Sequence, residues 1–237
     1  MKLLLIALCL ISFYAQANNK IIIGQDNRYP ITEKNRTKIH DSIGLVQMLT
    51  REGNLSLCTG TIISKRHVLT AAHCLLEAGS QRYLEGYQFL PGVNHDLKRT
   101  PKTTKGIFKI IRVAAYPSYF NYSRSNNDVG IIEVDRDMPF TPLNLAEFKN
   151  DREVVLTGYP SDKTYGTQWE AHGSLNQVVS YAHSIDTFRG QSGSAIRNKS
   201  NKIVAVHSGG SDYGVVKWNL MAPMTRDIIN FLNTEMK

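Results

Sequence analysis

At 237 residues, 42% hydrophobic and 20% charged, the chain has the length and apolar content for one domain of two similar halves, or for two small domains. Its formal charge of +8 is scattered apart from Lys98, Arg99, Lys102 and Lys105 around Pro101. No helical stripe or interleaved aromatics accompany that cluster, which argues against a nucleic-acid reader and leaves a solvated loop.

In chain order, Lys2, an apolar run over 3–14 and the small-x-small site Ala15-Gln16-Ala17 read as an export signal over residues 1–17. The run is too short to span a bilayer comfortably, and no later segment reaches the required length. The mature protein is therefore expected outside the cytoplasm, extracellular or periplasmic. Cys9 leaves with the signal. Cys58 and Cys74 remain as an even pair in an exported chain, and their disulfide would contribute on the order of 3 kcal/mol. Short β-rich runs punctuated by Gly, Pro, Asn, Asp and Ser follow. The first half carries 43–50, 60–64, 67–70, 108–115 and 129–134, and the second 153–158, 175–181, 195–198, 202–207 and 215–221. Met224, Ile228, Phe231 and Leu232 recur at helical spacing after Pro223. The expectation is an all-β pair of barrels or sandwiches with a C-terminal helix, the halves parting within 136–150.

Three segments carry chemistry. Gly190-Gln191-Ser192-Gly193-Ser194 lies between two strand-like runs, a tight turn that exposes a hydroxyl and turns backbone N–H groups outward to meet a developing oxyanion. Taken alone, the pattern also fits an ordinary hairpin. In Thr70-Ala71-Ala72-His73-Cys74 a strand ends, a small-residue turn follows, and a half-cystine fixes the imidazole beside it. Asn127-Asp128-Val129-Gly130 supplies an acid entering an apolar run.

Together these segments resemble the chymotrypsin-like serine proteases, in which His, Asp and Ser follow one another along the chain. The resemblance covers essentially the whole mature chain. It implies Ser192 as nucleophile, His73 as proton shuttle, Asp128 as its orienting acid, and the N–H groups of Gly190 and Ser192 as oxyanion hole. It also implies two packed six-stranded barrels, here over 21–140 and 141–237.

Within that family, trypsin-like members place an acid directly before the serine to receive the new N-terminal ammonium. Gln191 stands there instead and forms no ion pair. Gly158-Tyr159-Pro160-Ser161-Asp162-Lys163 with Trp169-Glu170, the stretch 186–194, and Val206-His207-Ser208-Gly209-Gly210 resemble the bacterial glutamyl endopeptidases. The resemblance implies that Thr187 and His207 bind the substrate glutamate. It also implies a mature start at Ile21, whose ammonium joins them after removal of the short pro-segment 18–20. Asp186 argues otherwise, because it lies where trypsin-like enzymes keep the carboxylate that selects Lys or Arg. Arg189 departs from the glycine common in the glutamyl branch and could pair with Asp186. The expectations are thus cleavage after Glu and less readily Asp, tryptic cleavage through Asp186 as the alternative, and from another class a protease-like binding protein that has lost catalysis. No metal-ligand constellation stands out, since adjacent His95 and Asp96 fit an exposed turn, and no cofactor is expected. The expected partners are protein or peptide substrates, met as a monomer, without nucleic acid or membrane.

Overall fold

A computed structural model describes residues 22–94, 106–122, 124–149, 153–175, 181–212 and 217–237. Thirteen strands and three α-helices are named among them. The export signal, Ile21, His95, Asp96 and the basic cluster at 98–105 lie outside the described residues.

The strands of the first half are β1 (Tyr29–Pro30), β2 (Ile43–Leu49), β3 (Leu55–Ile62), β4 (His67–Thr70), β5 (Glu85–Pro91), β6 (Phe108–Ala115) and β7 (Gly130–Val134). Six of them close a barrel in the order β2-β3-β4-β7-β6-β5, with β5 returning antiparallel onto β2. Alternation is weak because both faces of these strands are covered: the consecutive residues Val68 and Leu69, and Ile131 and Ile132, are all buried, in one apolar cluster with Val46, Met48, Ile62 and Phe89. The second half contributes β8 (Val154–Gly158), β9 (Trp169–Gly173), β10 (Ala182–His183), β11 (Ala195–Asn198), β12 (Ile203–Asp212) and β13 (Lys217–Pro223). With β1 they form an antiparallel sheet in the order β1-β9-β8-β11-β12-β13-β10. Where two closed six-stranded barrels are expected, the described residues therefore form one closed barrel and one open, half-barrel sheet. The N-terminal strand β1 crosses to the second sheet and pairs with β9 there.

Three helices, α1 (Lys38–Asp41), α2 (Pro117–Asn121) and α3 (Arg226–Glu235), complete the chain. The Thr225 hydroxyl caps α3 by accepting the Ile228 N–H. Ile228 and Leu232, the helical repeat read from sequence, are buried in one apolar cluster with the first barrel, Ala195, Ile203, Val206 and Met224. The second core gathers Val154, Leu156, Ala171, Ile185, Ile196, Val204 and Met221. Cys58 on β3 and Cys74 form a disulfide, and no helix among the described residues is long and apolar enough to cross a membrane.

Candidate active site

His73 sits in a single 3-10 turn, Ala72–Cys74, directly after β4. The small residues Ala71 and Ala72 are fully buried, so the turn packs tightly, and the disulfide at Cys74 ties it to β3. Asp128 closes a second 3-10 turn, Ser125–Asn127, just before β7. Because β4 and β7 are paired, the two turns leave the same end of the barrel side by side. Asp128 Oδ1 accepts the His73 backbone N–H at 2.9 Å, and Oδ2 pairs with the ring Nδ1 at 2.6 Å. The Ser208 hydroxyl donates to Oδ2 as well, from β12 of the second sheet.

Burial works against both charged forms here, yet each partner outweighs it for the other. Asp128 is held below the ordinary carboxylate range by the His73 ring, the Ser208 hydroxyl and the His73 N–H. His73 is raised above the ordinary imidazole value by the Asp128 carboxylate. The carboxylate holds the ring proton on Nδ1 and leaves Nε2 as the basic nitrogen.

Ser192 reaches this pair through the backbone around it. Its carbonyl accepts the Thr59 N–H of β3 at 2.8 Å, the Thr59 hydroxyl donates to the Gly190 carbonyl at 2.8 Å, and the Gly193 N–H donates to the His207 carbonyl at 2.9 Å. Gly193 has φ +82°, and a Cβ there would collide with the Thr70 hydroxyl and the Thr59 carbonyl. Gly190, at φ +90°, would collide with the Tyr159 carbonyl. Gly193 is required for the serine turn to seat against the strand end that carries His73, and Gly190 for it to seat against the turn at Tyr159 and Ser161. Among the described residues, neither the Gly190 nor the Ser192 N–H has an intramolecular acceptor. Ser192 Oγ and His73 Nε2 are not hydrogen-bonded in this structure. Nε2 lies 3.8 Å from the Cys74 sulfur, and the hydrogen bond between a catalytic base and its nucleophile commonly tightens only when substrate is bound.

The second sheet holds the residues read as substrate-binding. His207 on β12 is 2% exposed, and its Nδ1 lies 3.1 Å from Nε2 of His183 on β10. The Ile185 N–H points at His183 Nδ1, 3.3 Å away, which puts the His183 proton on Nε2. His207 Nδ1 must then accept, and His207 carries its own proton on Nε2. Burial keeps both rings neutral: His183 is lowered to about 3 and His207 well below the ordinary value, the latter also repelled by His183 and His73. Thr187, 1% exposed, donates its hydroxyl to Asn219 Oδ1 at 2.8 Å, while Asn219 Nδ2 donates to the Ile185 carbonyl at 2.7 Å. Its donor is thus already engaged. Ile21 lies outside the described residues.

Asp186 does not stand open as a trypsin-like selector. It is 2% exposed, and its two oxygens accept the Ile23 N–H at 2.7 Å and the Asn27 N–H at 2.8 Å. Arg189 is exposed rather than paired with it among the described residues. Ser208, His183 and Asn219 were missed in the sequence because each acts through a partner far along the chain. Only Ser208 left a signal, as part of the His207-Ser208-Gly209-Gly210 stretch. An open cleft of about 940 Å³ runs from His73 past Leu76, Leu84, Tyr119 and Phe120, with Arg51 and Glu77 on its rim.

A family model described as Trypsin matches residues 31–226. A glutamyl endopeptidase of Bacillus licheniformis is 26% identical over 234 residues, covering 90% of this chain and 68% of that protein. One from Staphylococcus aureus is 25% identical over 201 residues, covering 80% of this chain and 52% of the relative, so the chain spans about half the length of that relative. Among solved structures, a Glu endopeptidase in complex with MPD superposes with a TM-score of 0.76 at 26% identity, covering 91% of this chain and 99% of the other. A thermostable serine protease, AL20, shares the fold at 14% identity with a TM-score of 0.68, covering 84% of this chain and 98% of that one. With a trypsin family match over most of its length, a chymotrypsin-like fold, and a serine turn seated beside a histidine–aspartate pair, the chain belongs to the trypsin family of serine endopeptidases.

Proposed function

We propose that this chain, once exported and freed of residues 1–20, hydrolyses peptide bonds after Glu, and less readily after Asp, with Ser192, His73 and Asp128 as its catalytic triad. Ser192 Oγ attacks the scissile carbonyl as His73 Nε2 takes its proton. The oxyanion settles against the Gly190 and Ser192 N–H groups, and the proton passes from Nε2 to the leaving amine. Water then repeats the sequence on the acyl-enzyme. Asp128 keeps the ring in the required tautomer and stabilises the imidazolium. A protein or peptide chain is the substrate, and the working form is a monomer.

The observation that carries Glu over Lys or Arg is the state of two buried groups beside Ser192. Both oxygens of the buried Asp186 carboxylate are engaged by backbone N–H groups, so neither stands open to pair with a cationic side chain. His207, fixed by His183, has its proton on Nε2 and offers a donor to an anionic one. Thr187 adds a second donor by turning its hydroxyl from Asn219 to the substrate, and the Ile21 ammonium a third.

A cleavage-site profile tests this directly. The chain beginning at Ile21 is expected to cut a mixed peptide library after Glu, and Ser192→Ala to abolish all cuts. A profile dominated by Lys and Arg would return the choice to Asp186 and sink the glutamate assignment.

The pH dependence carries a definite sign. His73 must be neutral to act as base, and its pKa lies above the ordinary 6.5. Activity is therefore lost as pH falls through a value higher than 6.5. His183 and His207 are lowered, so neither gains a proton in that window. Between that value and the ordinary range of the substrate carboxyl, about 4.3, the acid limb of kcat/KM is expected to show one ionisation, and a slope of two there in a log plot would contradict the neutral-histidine pair.

A further inference from the structure

The N-terminal segment contributes a buried cation beneath the serine turn that the chemistry above does not use. Arg28, 6% exposed, lies between two carboxylates. Its Nε and Nη2 reach Asp26 at 2.9 and 2.8 Å, and its Nη1 and Nη2 reach Asp162 at 3.0 and 2.6 Å. Both pairings are two-pronged, a geometry only the planar guanidinium provides. The same Nη1 lies 3.5 Å from Gln191 Oε1, a charge–dipole contact rather than a tight hydrogen bond. Gln191 immediately precedes Ser192 and is fully buried. Its Oε1 accepts the Phe188 N–H at 2.9 Å, while its Nε2 has no partner. The guanidinium also sits 5.8 Å from the centroid of the Phe188 ring.

Asp162 belongs to the turn on which the oxyanion donors rest. Ser161 N–H donates to the Arg189 carbonyl at 2.7 Å, and Gly190 packs so closely on the Tyr159 carbonyl that no side chain fits between. Arg28 thus joins the N-terminal segment to both supports of Gly190 and Ser192: the turn below them and the Gln191 side chain between them. The same segment holds the other end of the loop through Ile23 and Asn27 on Asp186. Without Arg28, Asp26 would keep only Lys163, 3.1 Å from its Oδ2, and Asp162 would face that carboxylate without the guanidinium the two now share.

We propose that Arg28 is a positioning residue for the oxyanion hole, holding the Gly190 and Ser192 N–H groups in place through Asp162 and Gln191. Because this cation lies inside the chain rather than at a newly cut terminus, the oxyanion hole is formed whether or not the residues before Ile21 have been removed. The inference rests on the assignment of Ser192 as nucleophile made above.

The test compares Arg28→Met and Arg28→Lys with Arg197→Met in the chain beginning at Ile21, with wild-type labelling repeated in the full-length chain. Arg197 on β11 is likewise buried and pairs with Glu170 and Thr157, so its loss reports the cost of breaking a buried pair away from the serine turn. The readouts, per mole of folded protein, are the rate at which a fluorophosphonate acylates Ser192, and kcat and KM on a peptide. Arg28→Met is expected to lower acylation and kcat by roughly 100-fold with KM little changed, the size of a lost oxyanion donor. Arg28→Lys, which keeps the charge and loses the fork, should fall about tenfold, between that variant and wild type. Arg197→Met should lose thermal stability while acylating at close to the wild-type rate. Should Arg28→Met fail to fold, Arg28→Lys carries the comparison. Arg28 variants that acylate at the wild-type rate, or no more slowly than Arg197→Met, would overturn the proposal. The probe needs no glutamate, so a wild-type chain that labels but cuts after other residues removes only the specificity assignment. A wild-type chain that fails to label removes Ser192 as nucleophile, and the role of Arg28 with it.

Discussion

Asp128→Asn is expected to lower kcat by about 10⁴-fold, with KM little changed, the size of the same exchange in a well-characterised Ser-His-Asp site. The reason lies in what Asp128 receives. Its carboxylate is met by three donors: the His73 N–H, the His73 ring and the Ser208 hydroxyl. An asparagine has one acceptor oxygen where the aspartate has two, so its NH₂ must face a donor in either orientation. If NH₂ takes the place of Oδ2, the ring relieves the clash by moving its proton from Nδ1 to Nε2. Nε2 then meets Ser192 as a donor and can no longer remove its proton. If NH₂ takes the place of Oδ1, it opposes the His73 backbone N–H and displaces the turn that carries the ring. Both outcomes act on the base rather than on substrate binding, which is why kcat should fall and KM should not. Saturation kinetics with active-site titration would decide it. A fall of less than about 100-fold would mean that Asp128 does not set the tautomer.

What the sequence disclosed about this site follows a physical line. The segments 70–74, 127–130 and 190–194 were legible because each packs its chemistry into a few consecutive residues. A strand end, a small-residue turn and a half-cystine are all local. Strands such as β6, bounded by turn residues and rich in β-branched side chains, came out with their observed limits. The strand β5 escaped because Gly86 and Pro91 punctuate it like a loop. The glycine is there for packing, however, since a Cβ would collide with Ile110 of the adjacent strand. The role of Asp186 was ambiguous for a different reason. Its identity fits a cation selector, and only its partners, Ile23 and Asn27, lying 163 and 159 positions away, reveal it as an anchor for the N-terminal segment. Ser208, His183 and Arg28 belong to the same class, residues whose function is a contact across the fold. No local pattern encodes such a contact, because burial and pairing are properties of the assembled sheets.

The histidine pair gives the second large effect. In His207→Ala, kcat/KM for a substrate with Glu before the scissile bond is expected to fall by about 100-fold, within the 1.5–3 kcal/mol of a hydrogen bond to a charged group. The corresponding Gln substrate should lose far less, because its neutral amide gains less from that donor. The preference for Glu over Gln would therefore shrink by most of that factor, leaving what Thr187 and the Ile21 ammonium supply, and fluorophosphonate labelling of Ser192 should stay within a few-fold of wild type. His183→Phe separates position from charge. It leaves His207 in place but removes the Nε2–H that His207 Nδ1 accepts. The His207 proton is then free to sit on either nitrogen, and the donor is present only part of the time. That variant should lose part of the Glu preference, less than His207→Ala does. Equal losses on Glu and Gln substrates in His207→Ala would instead assign this ring to packing against the triad, and leave selection to Thr187 and the N-terminal amine.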